Sequence, residues 1–214
     1  MRKARIAVLV SGGGTNLQAV LNAQAKGKIP HGTVVLVISN RSDAYAIERA
    51  KAAGVETVTL IRKEFGGQEG FEAALSETLE HHNIDLIVLA GFLSILSAEF
   101  TDRWPRRILN VHPSLIPAFC GAGFYGLKVH ETALQRGVKV TGATVHFVNE
   151  IPDGGEILFQ KAVRVQPGDT PETLQKRVME QAEWILLPRA VEQVSRAIVT
   201  EKQGSNQFVS SYRR

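Results

Sequence analysis

The apolar run Ile6-Ala7-Val8-Leu9-Val10 breaks off into Ser11-Gly12-Gly13-Gly14, and this junction constrains the fold more than any other feature of the chain. Five apolar residues without alternation mark a strand covered on both faces. The glycines mark a sharp turn, and a helical stretch from about Asn16 to Ala25 follows. The buried-strand signal recurs at Val34–Ser39, Val55–Leu60, Leu86–Leu89 and Ile108–Val111, with helical stretches near Ala44–Ala53 and Gly70–His81 between several of them. Alternation of this kind requires right-handed crossovers. It predicts an α/β fold with a mostly parallel, doubly wound sheet and helices on both faces, with ligands bound outside the carboxyl ends of the strands.

Beyond about Pro113 the texture changes. Val140–Val148 and Ile157–Val165 read as alternating strands around the turn-rich segment Glu150–Gly155, which predicts a C-terminal antiparallel hairpin. Thr170-Pro171-Glu172 supplies an N-cap with proline at the first helical position. It opens a long terminal helix whose apolar face is Leu174, Val178, Ala182, Ile185 and Leu186, with Pro188 expected to kink or end it. These elements predict one domain over 1–200, a phosphate-binding half to about 113 and a completing half after it, followed by a loose polar tail over 201–214.

Composition removes several classes. With 214 residues, 44% hydrophobic and 21% charged, the chain has the balance of a globular α/β protein rather than a disordered one. Cys120 is the single cysteine and allows no internal disulfide. The apolar run after Arg5 is too short for a signal-peptide core or a membrane span, so the expectation is a cytoplasmic protein with no membrane partner. The 25 basic and 21 acidic residues leave +4. Arg2, Lys3 and Arg5 carry three of those charges, and Glu201, Lys202, Arg213 and Arg214 a net two, so the body sits at −1. A nucleic-acid partner is not expected from charge confined to the two ends.

Three places invite chemistry. Gly14, Thr15 and Asn16, between a buried strand and a helix start, offer backbone N–H groups and a helix dipole to an anion such as a phosphate, against the plainer reading of a tight turn. The spacing fits neither a dinucleotide fingerprint nor a Walker loop. A literal Gly-x-Gly-x-x-Gly at Gly121, Gly123 and Gly126 lacks the strand-turn-helix context and reads as a flexible loop. Asn110 and His112, two apart on a strand ended by Pro113, project from one face at its carboxyl end. Asp153, between Pro152 and Gly154-Gly155, reads from its own surroundings as a turn former. His31, His81, His82, His130 and His146 lack metal-ligand spacing, so no metal is expected, and Cys120 reads as an inert loop thiol.

Taken together, Ser-Gly-Gly-Gly-Thr-Asn-Leu-Gln at 11–18, Leu-Ala-Gly-Phe at 89–92, Asn-Val-His-Pro-Ser-Leu at 110–115, Thr-Gly-Ala-Thr-Val-His-Phe-Val at 141–148 and Asp-Gly-Gly at 153–155 resemble the folate-dependent phosphoribosylglycinamide formyltransferases. The likeness runs from about Ile6 to Pro188. It implies transfer of a formyl group from 10-formyltetrahydrofolate to the amine of 5-phosphoribosylglycinamide in purine synthesis, with Asn110, His112 and Asp153 matching the family's catalytic trio. It implies substrate phosphate on Gly14, Thr15 and Asn16. The folate is expected against Gln68, Leu93, Ser94, Ile95, Leu96, Asn110, Asn149, Glu150, Ile151 and Asp153. Gln68 and Ser94 stand where relatives often carry basic residues. The glutamate that contacts the glycinamide in relatives aligns with Ala182, leaving Glu180 and Glu183, one helix side apart by three, as the candidates. The partners implied are these two small molecules, on a monomer or homodimer. A formyltetrahydrofolate hydrolase, another formyltransferase and a non-catalytic phosphometabolite-binding module are the alternatives. The pairing of His112 with Asp153 argues against the module, since a silent binder has no need of both.

Overall fold

In the computed structural model, β1 (Ala4–Val10) is buried along its length except at Arg5. Its alternate residues serve opposite layers: Ile6, Val8 and Val10 join one apolar cluster, and Ala7 and Leu9 the other. The structure describes the backbone of residues 2–211 and the side chains of residues 2–201. In chain order β1 is followed by α1 (Thr15–Ala25), β2 (Gly32–Ser39), α2 (Tyr45–Ala52), β3 (Glu56–Thr59), α3 (Gln68–His81), β4 (Leu86–Leu89), α4 (Ala98–Asp102) and β5 (Ile108–His112). The second half adds α5 (Leu127–Gln135), β6 (Val140–Phe147), β7 (Ile157–Arg164), α6 (Pro171–Val178), a π-helical segment over Met179–Glu183 and α7 (Trp184–Ser211).

The seven strands form one sheet in the order β3-β2-β1-β4-β5-β6-β7. The first five are parallel, while β6 runs antiparallel to β5 and β7 antiparallel to β6. This is the mostly parallel doubly wound sheet and C-terminal hairpin that the sequence predicts. The strand order reverses between β1 and β4, so a crevice opens beyond their carboxyl ends. One face packs against α1, α6 and α7, the other against α3 and α4.

Three short elements lie outside the sequence expectation: α4, α5 and a 3-10 turn at Arg62–Phe65. Each is nine residues or shorter, too brief for a helical period to stand out. The terminal helix also departs from expectation. Its entry is as predicted, with Thr170 and Thr173 exchanging hydrogen bonds in a capping box ahead of Pro171. The π segment then adds a wide turn, which rotates everything after it about the axis. Ile185, expected on the apolar face, therefore projects outward at 48% exposure, while Leu186, Leu187, Ala190, Val191, Val194 and Ile198 are buried. Pro188 does not end the helix, which continues through Ser211; burial on both sides of the ring outweighs the single lost backbone bond. The side chains of the tail expected from residue 201 onward lie outside the described residues beyond Glu201.

The entry to α6 carries a nearly closed ion pair. Asp169 accepts two bonds from Arg177, both at 2.5 Å, and another from the Gln166 N–H at 2.8 Å. The bonds from Arg177, with those from Gln166 and Thr173, hold its carboxyl down at about 2. A carboxyl depressed by folding contributes stability above its unfolded value, and that contribution is lost as pH falls toward the folded one. Thermal melts between pH 5 and 2 should therefore show a steeper fall for the wild type than for Asp169→Asn, which starts lower at pH 7. Parallel profiles would refute this account.

Candidate active site

Beyond the ends of β1, β4 and β5 lies a cavity of about 400 Å³, walled by residues from six segments. Its floor begins at the turn after β1. Gly14 has φ 73°, and a Cβ there would lie 2.6 Å from the Ala46 side chain, so the tight passage past α2 requires glycine. Helix α1 starts without a side-chain cap, leaving its first N–H groups facing the crevice. Ser11 ties this turn to the next loop: its Oγ accepts the Leu93 N–H at 2.9 Å, and its N–H donates to Gly91 at 3.2 Å.

Asn110 and His112 emerge together at the end of β5, as two-residue spacing requires. Across the ladder Asn110 faces His146 and His112 faces Thr144. Pairing of β6 with β7 is irregular between Val145 and His146, and such a bulge re-aims the side chain beside it. The Asn110 amide donates to His146 Nε2 at 3.1 Å and to Asp153 Oδ1 at 3.3 Å. His146 Nδ1 lies 2.8 Å from the Phe147 carbonyl, a contact that fixes the ring with Nε2 between the Asn110 amide and Asp153.

Asp153 comes 43 residues after Asn110, on the tight return between β6 and β7. It adopts φ 57°, a left-handed conformation that Asp tolerates better than most residues. A Cβ on Gly155 would fall 1.8 Å from the Phe147 carbonyl, so the return can close only over glycine. The Asp153 side chain is 12% exposed and receives four contacts. His112 Nδ1 lies 3.3 Å from Oδ2, and His146 Nε2 lies 3.5 Å from Oδ1. The Gly121 N–H donates to Oδ2 at 2.9 Å, and Asn110 completes the set. Burial pushes this carboxyl up, but His146, His112 and the Gly121 N–H outweigh it and hold the group below its ordinary value.

His112 is pulled the other way. Burial lowers its pKa, and Asp153 and the Phe119 carbonyl, which accepts from Nε2 at 2.8 Å, recover only part of the loss. Behind it His130 is fully buried with no partner on either ring nitrogen, and burial and His112 together lower it to about 4. The loop 119–121 is thus a working wall of the site rather than the flexible loop its glycines suggested. Ser114 Oγ donating to Ala118 at 2.5 Å and Thr144 Oγ1 donating to Ser114 at 2.7 Å brace its approach. Cys120 sits on this loop, its thiol pKa raised by burial and by Asp153.

Leu93, Ser94, Ile95, Leu96, Asn149 and Ile151 line the same cavity with Phe92, which closes the Leu-Ala-Gly-Phe motif, and are joined by Phe124 and Tyr125, which the sequence analysis did not single out. Gln68 and Glu150 do not line it. Gln68 instead bonds Glu72 and donates to the Ile95 carbonyl at 2.8 Å, so it holds the loop's shape from outside, and Glu150 is exposed. Asn16 lines the cavity, whereas Thr15 turns away and its hydroxyl lies 3.7 Å from the Met179 sulfur. The two candidate glutamates part company. Three-residue spacing puts side chains together on an α-helix, but the wider π turn separates them. Glu180 stays half exposed near Lys176, while Glu183 is buried and accepts from Asn16 Nδ2 at 2.6 Å. The residues sequence reasoning missed are His146, dismissed for lacking metal spacing, and the backbone groups of Phe119 and Gly121. The Asn110–His146 pairing across β5 and β6 was the available signal for the first.

Burial raises the Glu183 carboxyl to about 7 against the opposing bond from Asn16. A folded value above the ordinary 4.5 means the folded protein holds a proton that the unfolded chain releases, so stability falls as pH rises from 4.5 through 7. Glu183→Gln should flatten that part of the melting-temperature profile and melt higher than wild type at pH 8. Equal slopes from pH 5 to 8 for both proteins would count against a buried, protonated Glu183.

Residues 4–191 match the family model described as formyl transferase. The chain is 42% identical over 177 residues to the phosphoribosylglycinamide formyltransferase of Haemophilus influenzae, covering 83% of this chain and 81% of that one. It is 44% identical over 197 residues to the trifunctional purine biosynthetic protein adenosine-3 of Gallus gallus, of whose length it spans 19%. The crystal structure of glycinamide ribonucleotide transformylase 1 from Symbiobacterium toebii superposes with a TM-score of 0.85 at 42% identity, covering 91% of this chain and 89% of that one. With the family model spanning residues 4–191, and with the Haemophilus influenzae and Symbiobacterium toebii proteins each matched over four-fifths or more of their length, the chain belongs to the formyl transferase family.

Proposed function

We propose that the protein transfers the formyl group of 10-formyltetrahydrofolate to the amine of 5-phosphoribosylglycinamide, yielding the formylated glycinamide ribonucleotide and tetrahydrofolate in purine biosynthesis. The observation that carries this reading is a single cavity in which an amide, an imidazole and a carboxylate meet, Asn110, His112 and Asp153, at one end of the β1–β4 crevice. The Haemophilus influenzae relative, which this chain matches over four-fifths of its length, carries that activity in its name.

Attack of a neutral amine on the formyl carbon places negative charge on oxygen and positive charge on nitrogen. Asn110 and protonated His112 donate to the oxygen. In the free site the Asn110 N–H groups serve His146 and Asp153, and the His112 Nε2–H serves Phe119, so the arriving oxygen exchanges with one of these partners. Asp153, 3.3 Å from His112 Nδ1, favours the imidazolium that burial disfavours. Through an intervening water the same carboxylate accepts the amine proton and returns it to the leaving N10 of the folate. The C–N bond to N10 breaks as the new C–N bond is completed, and no covalent enzyme intermediate is required.

The substrate phosphate is assigned to Gly14, Thr15 and Asn16, where uncapped N–H groups begin α1. Glu183 rather than Glu180 is assigned to the glycinamide, because it alone reaches the cavity. The pterin is assigned to the backbone of Leu93–Leu96 and of Asn149–Asp153, with Gln68 shaping the loop behind it. The working unit is a monomer or homodimer acting on small molecules in the cytoplasm; no helix among the described residues is long and apolar enough to cross a membrane.

The decisive assay follows tetrahydrofolate release from 10-formyltetrahydrofolate with and without 5-phosphoribosylglycinamide. Release should require the amine. Release without it identifies a hydrolase, and none in either case leaves a binding module. Asn110→Ala, His112→Ala and Asp153→Ala should each lower turnover on the order of a hundredfold or more. Near-normal turnover in all three would remove this site from the reaction.

A further inference from the structure

A larger void than the reaction cavity lies on the other side of the same wall. It is a groove of about 580 Å³ between α1 and α7, closed at one end by Arg49 of α2. Two pairs of sequence neighbours divide the two spaces: Asn16 and Glu183 face the reaction cavity, and Thr15 and Trp184 face the groove. Of the residues lining the groove, only Thr15, at its edge, also belongs to the turn assigned to the substrate phosphate.

The groove exists because its walls are cut from small or turned-out residues. Ala19 and Ala23 leave one turn of α1 bare, Pro188 presents its ring opposite, and the π segment has rotated Ile185 and Trp184 toward the rim. Around this apolar bed stand Lys26, Lys28, Arg49 and Arg189. None of the four pairs with a carboxylate among the described residues. Arg49 donates to the Gly13 carbonyl at 2.8 Å and to Gln18 at 3.2 Å, and Arg189 lies over the Phe159 ring. The lone acid in the lining, Glu192, is engaged with His31 at 2.6 Å. The indole Nε1 of Trp184 is buried without a hydrogen-bond partner, a donor with no acceptor.

We propose that the groove between α1 and α7 is a second ligand site for a flat aromatic phosphomonoester of nucleotide size. Four uncompensated cations favour a dianion, and low-dielectric walls focus their field on it. The bare alanines, Pro188 and Trp184 accept a ring too apolar for a simple anion patch to hold. The volume falls within the range that buries such a molecule, between about 300 and 1,000 Å³. The site shares only Thr15 with the formyl-transfer reading and is tested without turnover.

The test is calorimetric titration of the full chain with AMP, adenosine and inorganic phosphate. AMP should bind with a Kd below about 1 mM, while adenosine and phosphate should each bind at least about tenfold more weakly, since each meets only half the groove. The exposed pair Lys26→Glu/Lys28→Glu should weaken AMP by about tenfold or more through charge reversal, and Ala19→Phe should abolish binding by filling the bed. Glu183→Gln should leave it unchanged. Absence of AMP binding overturns the proposal, as does phosphate binding as tightly as AMP, which would mean a cation patch alone. Loss in Glu183→Gln with retention in the lysine variants also overturns it, by placing AMP in the reaction cavity. The lysine variants lie on the surface, so their outcome stands even if Ala19→Phe fails to fold.

Discussion

The organisation of the site depends on one nearly buried negative charge. A carboxylate removed from water is tolerated only where donors and positive partners replace the solvent. Asp153 obtains them from three separate stretches: the end of β5, the bulge in β6 and the loop at Gly121. Each stretch is consequently held in place by a need of the others. The left-handed backbone at Asp153 and the glycines after it belong to the same constraint, because the return must be tight enough to deliver the group.

This also explains which parts of the site can be read along the chain. Asn110 and His112 lie two apart on one strand, so local period alone places them together. The glycine turn after β1 is equally local, since a buried strand running into glycines and then a helix has few other conformations. Asp153 is different: taken by itself it is indistinguishable from an ordinary turn residue, and only family likeness singled it out. His146 and the Gly121 N–H are harder still, because their roles arise from pairing between β5 and β6 and from a loop fold that no short-range pattern encodes. Strand positions, by contrast, follow from apolar runs, and β4 coincides with its predicted span at both ends.

The π segment shows why helical spacing misleads at the far side of the cavity. On an unbroken α-helix Glu180 and Glu183 would lie near one another, and Ile185 would sit beside Leu186 in the core. One widened turn gives Glu183 the inward position against Asn16 and sends Ile185 to the surface. Wide turns of this kind tend to occur where a helix must serve both packing and a ligand. Here α6, before the turn, packs against α5, the residues after the turn pack against the sheet, and the turn itself points a carboxyl at Asn16.

The placement of α7 bears on how the protein is made. Its buried side, Leu186, Leu187, Ala190, Val191, Val194 and Ile198, covers the same apolar layer as β1 and α1, although it is separated from them by more than 150 residues of chain. While the polypeptide is being synthesised, the first strands emerge with that layer unroofed, and an uncovered apolar sheet face is prone to adhesion. Closure of the hydrophobic layer therefore waits until α7 has left the ribosome, so chains cut short before it expose a sticky surface that quality control can recognise.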